Sequence, residues 1–222
     1  MKFWVLSLPM MTGDFAFADV IDPEYGDAPQ CSSCGEYIGS LKWLPPHRIR
    51  LVKGMKSYAP GDIISGPGCE AMMSDRFIDA FERSGLKGIE RWEPVIIEGY
   101  NNYWEKELQH PAPAARFKVA VFPRPTVRVV WEAMHPEPID EAGFQWVGCA
   151  VCGRNPTAYT FRGLVVEEGS WNGADIFHFS NIGGVFGVTE AFGEFVAKEK
   201  FRGVPLVPAE EYKPFKAQPA TW

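Results

Sequence analysis

The chain has 222 residues, a formal charge of −6, 46% hydrophobic and 14% aromatic residues, with 8 Trp and 16 Phe. That is ample apolar material for one large domain or two small ones, and the acidic balance argues against a broad footprint for nucleic acid or an anionic membrane. No stretch approaches the length of a transmembrane helix, while 22 Gly and 19 Pro favour many short strands and turns over a helical bundle.

Residues 3–8, Phe-Trp-Val-Leu-Ser-Leu, read as a first strand. Lys2, the apolar run that follows and Ala16-Phe17-Ala18 outline a secretory signal, but Pro9 cuts the run and Asp14 stands before the would-be cleavage site. After turn-rich sequence comes the knuckle Cys31-Ser32-Ser33-Cys34-Gly35. His47, after Pro45-Pro46, reads as a surface loop histidine, and residues 48–53 alternate as a half-exposed strand. Asp62-Ile63-Ile64 is a short apolar run. Ser74 then caps a helix whose stripe is Phe77, Ile78, Ala80 and Phe81, with Gly85 or Gly88 to end it.

Residues 93–98, 117–122 and 126–131 predict strands from their β-branched and aromatic content. Residues 101–115 between them are polar and proline-bearing, which predicts a loop or excursion. The second knuckle is Cys149-Ala150-Val151-Cys152-Gly153. Residues 159–161 and 164–166 predict two strands broken at Arg162-Gly163, and residues 175–179 alternate again. Thr189 caps a second helix bearing Phe192, Phe195 and Val196 on one face. Lys198, Lys200 and Arg202 crowd its negative end, Gly203 closes it, and residues 204–207 predict a last strand.

The two helices repeat one another. Setting Phe77 on Phe192, a shift of 115 residues (192 minus 77), brings Ser74 to Thr189, Asp75 to Glu190, Lys87 to Arg202 and Gly88 to Gly203. The knuckles are 118 residues apart (149 minus 31), nearly the same shift. The expected fold is α+β: a single domain over 1–222 built of two diverged pseudo-repeat halves, about 1–115 and 116–222.

Each Cys-x-x-Cys-Gly aims two sulfurs at one point, and its glycine is free to take positive φ and turn backbone N–H groups toward them. Together Cys31, Cys34, Cys149 and Cys152 supply the closed set that a structural Zn²⁺ takes, one ion per chain shared by both halves. Metal binding would then contribute to folding. Five cysteines with four in knuckles fit a reducing, cytoplasmic setting better than a disulfide framework.

Catalytic chemistry finds little footing. His135-Pro-Glu137 lacks the downstream cysteine pair of a deaminase, and turn-rich sequence before each knuckle does not suit a redox pair opening a helix. Cys69 is left over; a nucleophilic role with His110, His135 or His178 is possible in principle, but a small buried residue is the simpler reading. His178, in an apolar strand, reads as a core or rim histidine. Gly183-Gly184 and Gly187 lack the Lys-Ser/Thr of a phosphate loop. Glu132, Glu137, Asp140 and Glu141 read as a solvated face, at most a landing surface for a basic partner. Arg116, Lys118, Arg124 and Arg128 are the candidate cluster if the chain were instead a zinc-knuckle nucleic-acid or regulatory module.

The paired knuckles, with Phe3-Trp4-Val5 and the segment from Asp175 through Thr189, Phe192 and Val204, resemble the double-CXXCG proteins, a paralogous group prominent in myxobacteria that includes immunity proteins of polymorphic toxins. Met73 to Phe77, Gly88 and residues 94–99 also resemble a broader family of bacterial immunity proteins without the cysteines. The resemblance implies neutralisation of a cognate protein toxin by direct binding, with no catalytic residue to carry over. The expectation is a cytoplasmic, non-enzymatic protein that binds neither nucleic acid nor membrane.

Overall fold

The structure is a computed structural model that describes residues 1–8, 14–38, 40–57, 59–66, 70–102, 105–110, 116–133, 149–152 and 161–213. These form a mixed α+β fold. In chain order the strands are β1 (Phe3–Leu6), β2 (Phe17–Val20), β3 (Glu24–Tyr25), β4 (Trp43–Leu44), β5 (His47–Val52), β6 (Ile63–Ser65) and β7 (Ala71–Ser74). Helix α1 (Asp75–Ser84) is followed by β8 (Arg91–Asn102), β9 (Glu105–His110), β10 (Phe117–Val121), β11 (Val129–Ala133), β12 (Phe161–Val166), β13 (Ile176–His178) and β14 (Phe186–Thr189). Helix α2 (Glu190–Glu199), β15 (Leu206–Pro208) and a 3-10 turn (Ala209–Glu211) close the described chain.

One sheet has the order β13-β14-β1-β15 and a larger one β2-β5-β8-β10-β7-β6, with β9 on β8. β5 and β8 pair in parallel. The helices bury their apolar stripes between the sheets. Phe77 lies 6.2 Å from Phe192 and 5.6 Å from Phe195 between ring centroids, and a common core joins these rings to Leu6, Met73, Ala120, Phe186 and Val188. Burying each such aromatic contributes roughly 2–3 kcal/mol.

Both helices start as their sequences dictate. The Ser74 hydroxyl accepts from Phe77 N–H at 3.2 Å, and the Thr189 hydroxyl accepts from Phe192 N–H at 3.4 Å. Gly85 ends α1 at φ 77°, in the left-handed region. The second helix ends earlier than its sequence suggests: Lys200, not Gly203, takes the left-handed cap at φ 54°. Tertiary contact explains the exception. Arg76, on α1, donates to the carbonyls of Glu199 (2.6 Å) and Lys200 (3.2 Å) and lies 4.8 Å over the Phe201 ring, so a cation from the other helix satisfies the exposed carbonyls.

Three further expectations are corrected. Residues 101–115 are not a loop throughout: β8 runs on to Asn102 and β9 folds back onto it, with Asn102 opposite Glu105. Their polar sequence has little intrinsic strand preference, and pairing supplies it. Arg162-Gly163 does not break a strand, because β12 passes through it with Gly163, at φ 70°, as the extra residue of a bulge facing the step from Trp131 to Glu132. His47 is not on a surface loop: it opens β5 at 1% exposure, its Nε2 2.8 Å from Glu93 Oε2 and its ring 4.5 Å from that of Trp43. Its partner is 46 residues away, brought in by the parallel pairing of β5 and β8.

Candidate metal centre

The two knuckles lie 118 residues apart in sequence and meet in space. Each of the four sulfurs lies within 4.8 Å of every other. Cys31 Sγ is 3.8 Å from Cys149 Sγ, and Cys34 Sγ is 3.7 Å from Cys152 Sγ. All four are free thiols, far outside the roughly 2.05 Å of a disulfide. A tetrahedron of sulfurs with zinc–sulfur bonds of about 2.3 Å has edges of about 3.8 Å. The two cross-knuckle separations match that edge, so the residues present fit a four-coordinate thiophilic ion.

Local backbone shapes the seat. Cys31 N–H donates to Glu36 O at 2.8 Å and Gly35 N–H to Cys31 O at 2.9 Å, closing a tight turn between the bridged positions Gln30 and Tyr37. Gly35 sits at φ 74° with open space where a Cβ would be, so its conformation, not crowding, calls for glycine. Gly153 lies outside the described residues. Cys31 is buried, Cys149 and Cys152 are half-buried, and Cys34 is exposed.

The sulfurs are electrostatically unequal. Backbone N–H groups of Cys34 and Ser33 favour the Cys31 thiolate and lower its pKa. Those of Cys152 and Val151 bring Cys149 down to about 6. Cys34 accepts from the Glu36 backbone, yet although the residue is exposed, desolvation of its sulfur and the three neighbouring sulfurs outweigh that and push it up to about 12. Four thiolates this close repel one another unless a cation sits among them. A divalent ion held by the four sulfurs would displace the retained protons and resolve the repulsion.

All four cysteines singled out by spacing are therefore brought together. Cys69 and His135 lie outside the described residues, as do Glu137, Asp140 and Glu141; His110 is placed only by its backbone in β9. His178 packs against the rings of Phe186 (4.2 Å) and Phe122 (4.8 Å), and burial pulls its pKa down to about 4, so it is a neutral, half-buried histidine at the rim of a cleft. The arginines do not form one free cluster. Arg116 opens on a cleft with Arg76 and Arg202, Arg124 lines a different cleft beside Trp43 and His178, and Arg128 is paired with Glu167 at 2.9 Å. Among the described residues no helix is long and apolar enough to cross a membrane.

Local sequence gave no signal for a second cluster. Glu70 is largely enclosed, and burial raises its pKa to about 7 despite a hydrogen bond from the Trp43 backbone and the nearby Lys42. Glu93, by contrast, stays low although burial opposes it, because His47 and Arg91 both hydrogen-bond its carboxylate. No protein-family model matches the chain, and no curated protein is similar to it in sequence.

Proposed function

We propose that the chain is an immunity protein that neutralises a cognate bacterial toxin by direct binding, its two related halves clasped by one structural zinc at Cys31, Cys34, Cys149 and Cys152. One observation carries the reading: four sulfurs from two distant segments form a closed seat, with the cross-knuckle edges of a zinc–thiolate tetrahedron. Such a seat leaves no coordination position for substrate or water, so its work is to fix shape. A rigid body binds a partner without the ordering cost that a flexible one incurs. The likeness of the paired knuckles to those of immunity proteins supplies the partner class. The scattered placement of the arginines weighs against a nucleic-acid module.

The test is co-expression with the product of the neighbouring reading frame. Growth arrest by that product, relieved by this chain and by a stable 1:1 complex on gel filtration, supports the reading. Arrest that the chain leaves untouched, with no complex formed, overturns it. Elemental analysis should find one zinc per chain, lost in the Cys34→Ser/Cys152→Ser variant. The same variant should melt well below the parent, since zinc–thiolate seats contribute roughly 10 kcal/mol or more to folding in small metal-dependent units.

A further inference from the structure

Two strands pair across the middle of the chain. β1, from the N-terminal half, lies between β14 and β15 of the C-terminal half; β10, from the C-terminal half, lies between β7 and β8 of the N-terminal half. Their registers correspond residue by residue. Phe3 faces the helix-capping Thr189, and Phe117 faces the helix-capping Ser74. Trp4 is flanked by Val188 and Pro208, and Lys118 by Met73 and Pro94. Phe3 and Phe117 differ by 114 (117 minus 3), as do Pro94 and Pro208 (208 minus 94). The neighbouring pairs follow suit: Ile63 faces Met73 as Ile176 faces Val188, and Phe17 faces Val52 as Val130 faces Val165.

Side-chain bonds repeat the correspondence reciprocally. Asp62 accepts from its own cap, Ser74 Oγ (2.9 Å), and from Arg202 N–H of the other half (2.8 Å). Asp175 accepts from its own cap, Thr189 Oγ1 (2.8 Å), and from Lys87 N–H of the other half (2.9 Å). The carbonyls of Arg202 and Lys87 return the favour, each accepting from the aspartate N–H at 2.7 Å. Packing agrees as well: Val5 belongs to a core with Val127, Leu164 and Phe177, whereas Phe117 and Val119 belong to one with Trp43, Ile49 and Leu51. In the sulfur seat two close contacts join equivalent cysteines, 31 to 149 and 34 to 152, an arrangement compatible with a local twofold.

We infer that the chain is a fused, strand-exchanged pair: residues 1–115 and 116–222 are two copies of one folding unit, each completed by the first strand of the other, with the sulfur seat on the local twofold axis. Each half is then the partner the other requires. A strand lent to the wrong sheet leaves its own sheet split, since β7 and β8 have no direct pairing and meet only through β10. This deepens the duplication within the proposed reading and is independent of toxin binding: a chain that relieves no toxin would leave it standing.

The test places a site-specific protease sequence between His110 and Arg116 of the full chain and cleaves it under native conditions. Strand exchange predicts that the two pieces stay together as one particle of full-chain mass, with metal and after chelation. They should part only at the denaturant concentration where secondary structure is lost. Pieces that separate while either remains folded overturn the inference. Should the insertion prevent folding, hydrogen exchange on the unmodified chain decides the same point. Amides of residues 4–6 must exchange in step with those of 186–188, and amides of 117–119 with those of 72–74; independent exchange of residues 4–6 overturns it.

Discussion

Replacing Asp62 with Ala tests the lock between the halves most directly. The carboxylate is 4% exposed and accepts two hydrogen bonds, from Ser74 Oγ at 2.9 Å and Arg202 N–H at 2.8 Å. A hydrogen bond to a charged group contributes about 1.5–3 kcal/mol, and alanine leaves both donors without their acceptor. Two such bonds, discounted because Ser74 and Arg202 retain some solvent access, put the loss at about 3 kcal/mol. For a chain of this size that lowers Tm by about 6–12 °C. Urea denaturation of Asp62→Ala and Asp62→Asn should rank both below the parent, with Asn intermediate because its amide oxygen still accepts one bond. Asp175→Ala, which removes the equivalent pair from Thr189 and Lys87, should cost a similar amount. A loss below about 1 kcal/mol for Asp62→Ala would refute the argument, since desolvation of a buried donor alone costs that much.

Glycine substitutions should separate crowding from conformation. A Cβ on Gly88, at φ 127°, would overlap the Ile176 carbonyl oxygen of the other half, so Gly88→Ala should cost over ~4 kcal/mol or abolish folding in thermal melts. Gly85, at φ 77°, has open space around it, and Gly85→Ala should cost only about 1–2 kcal/mol. The Glu70 carboxyl gives a pH signature. Its folded pKa of about 7 lies above the ordinary carboxyl value of 4.5, so the folded state holds the proton more tightly, and stability falls as pH rises from about 4.5 to 7. Glu70→Gln should remove that slope and raise stability at pH 8 by up to about 3 kcal/mol, read from urea midpoints at pH 5 and pH 8. An unchanged slope would show the carboxyl to be solvated.

What could be read from the sequence was local chemistry. The Cys-x-x-Cys-Gly spacing identified all four sulfurs, and the Ser74 and Thr189 caps followed from hydroxyl and stripe. What escaped it depends on partners far along the chain. His47 is buried because β8 lies beside β5, the polar residues of β9 are a strand because β8 has an edge to share, and Lys200 takes the cap expected of Gly203 because Arg76 reaches across from α1. The pairings of β1 and β10 escaped it for the same reason: Phe3-Trp4-Val5 reads as a strand in either sheet, and only the far register decides which.

The position of β1 also bears on how the chain is made. Phe3 to Leu6 leave the ribosome well before residues 186–189 and 206–208, their hydrogen-bonding neighbours. Until those residues follow, this apolar segment has no edge in its own sheet to join, and the sheet that receives it cannot close. Closure of that sheet therefore waits on the later segment, and the growing chain carries an unpaired strand that must be kept from other exposed edges until its own arrives.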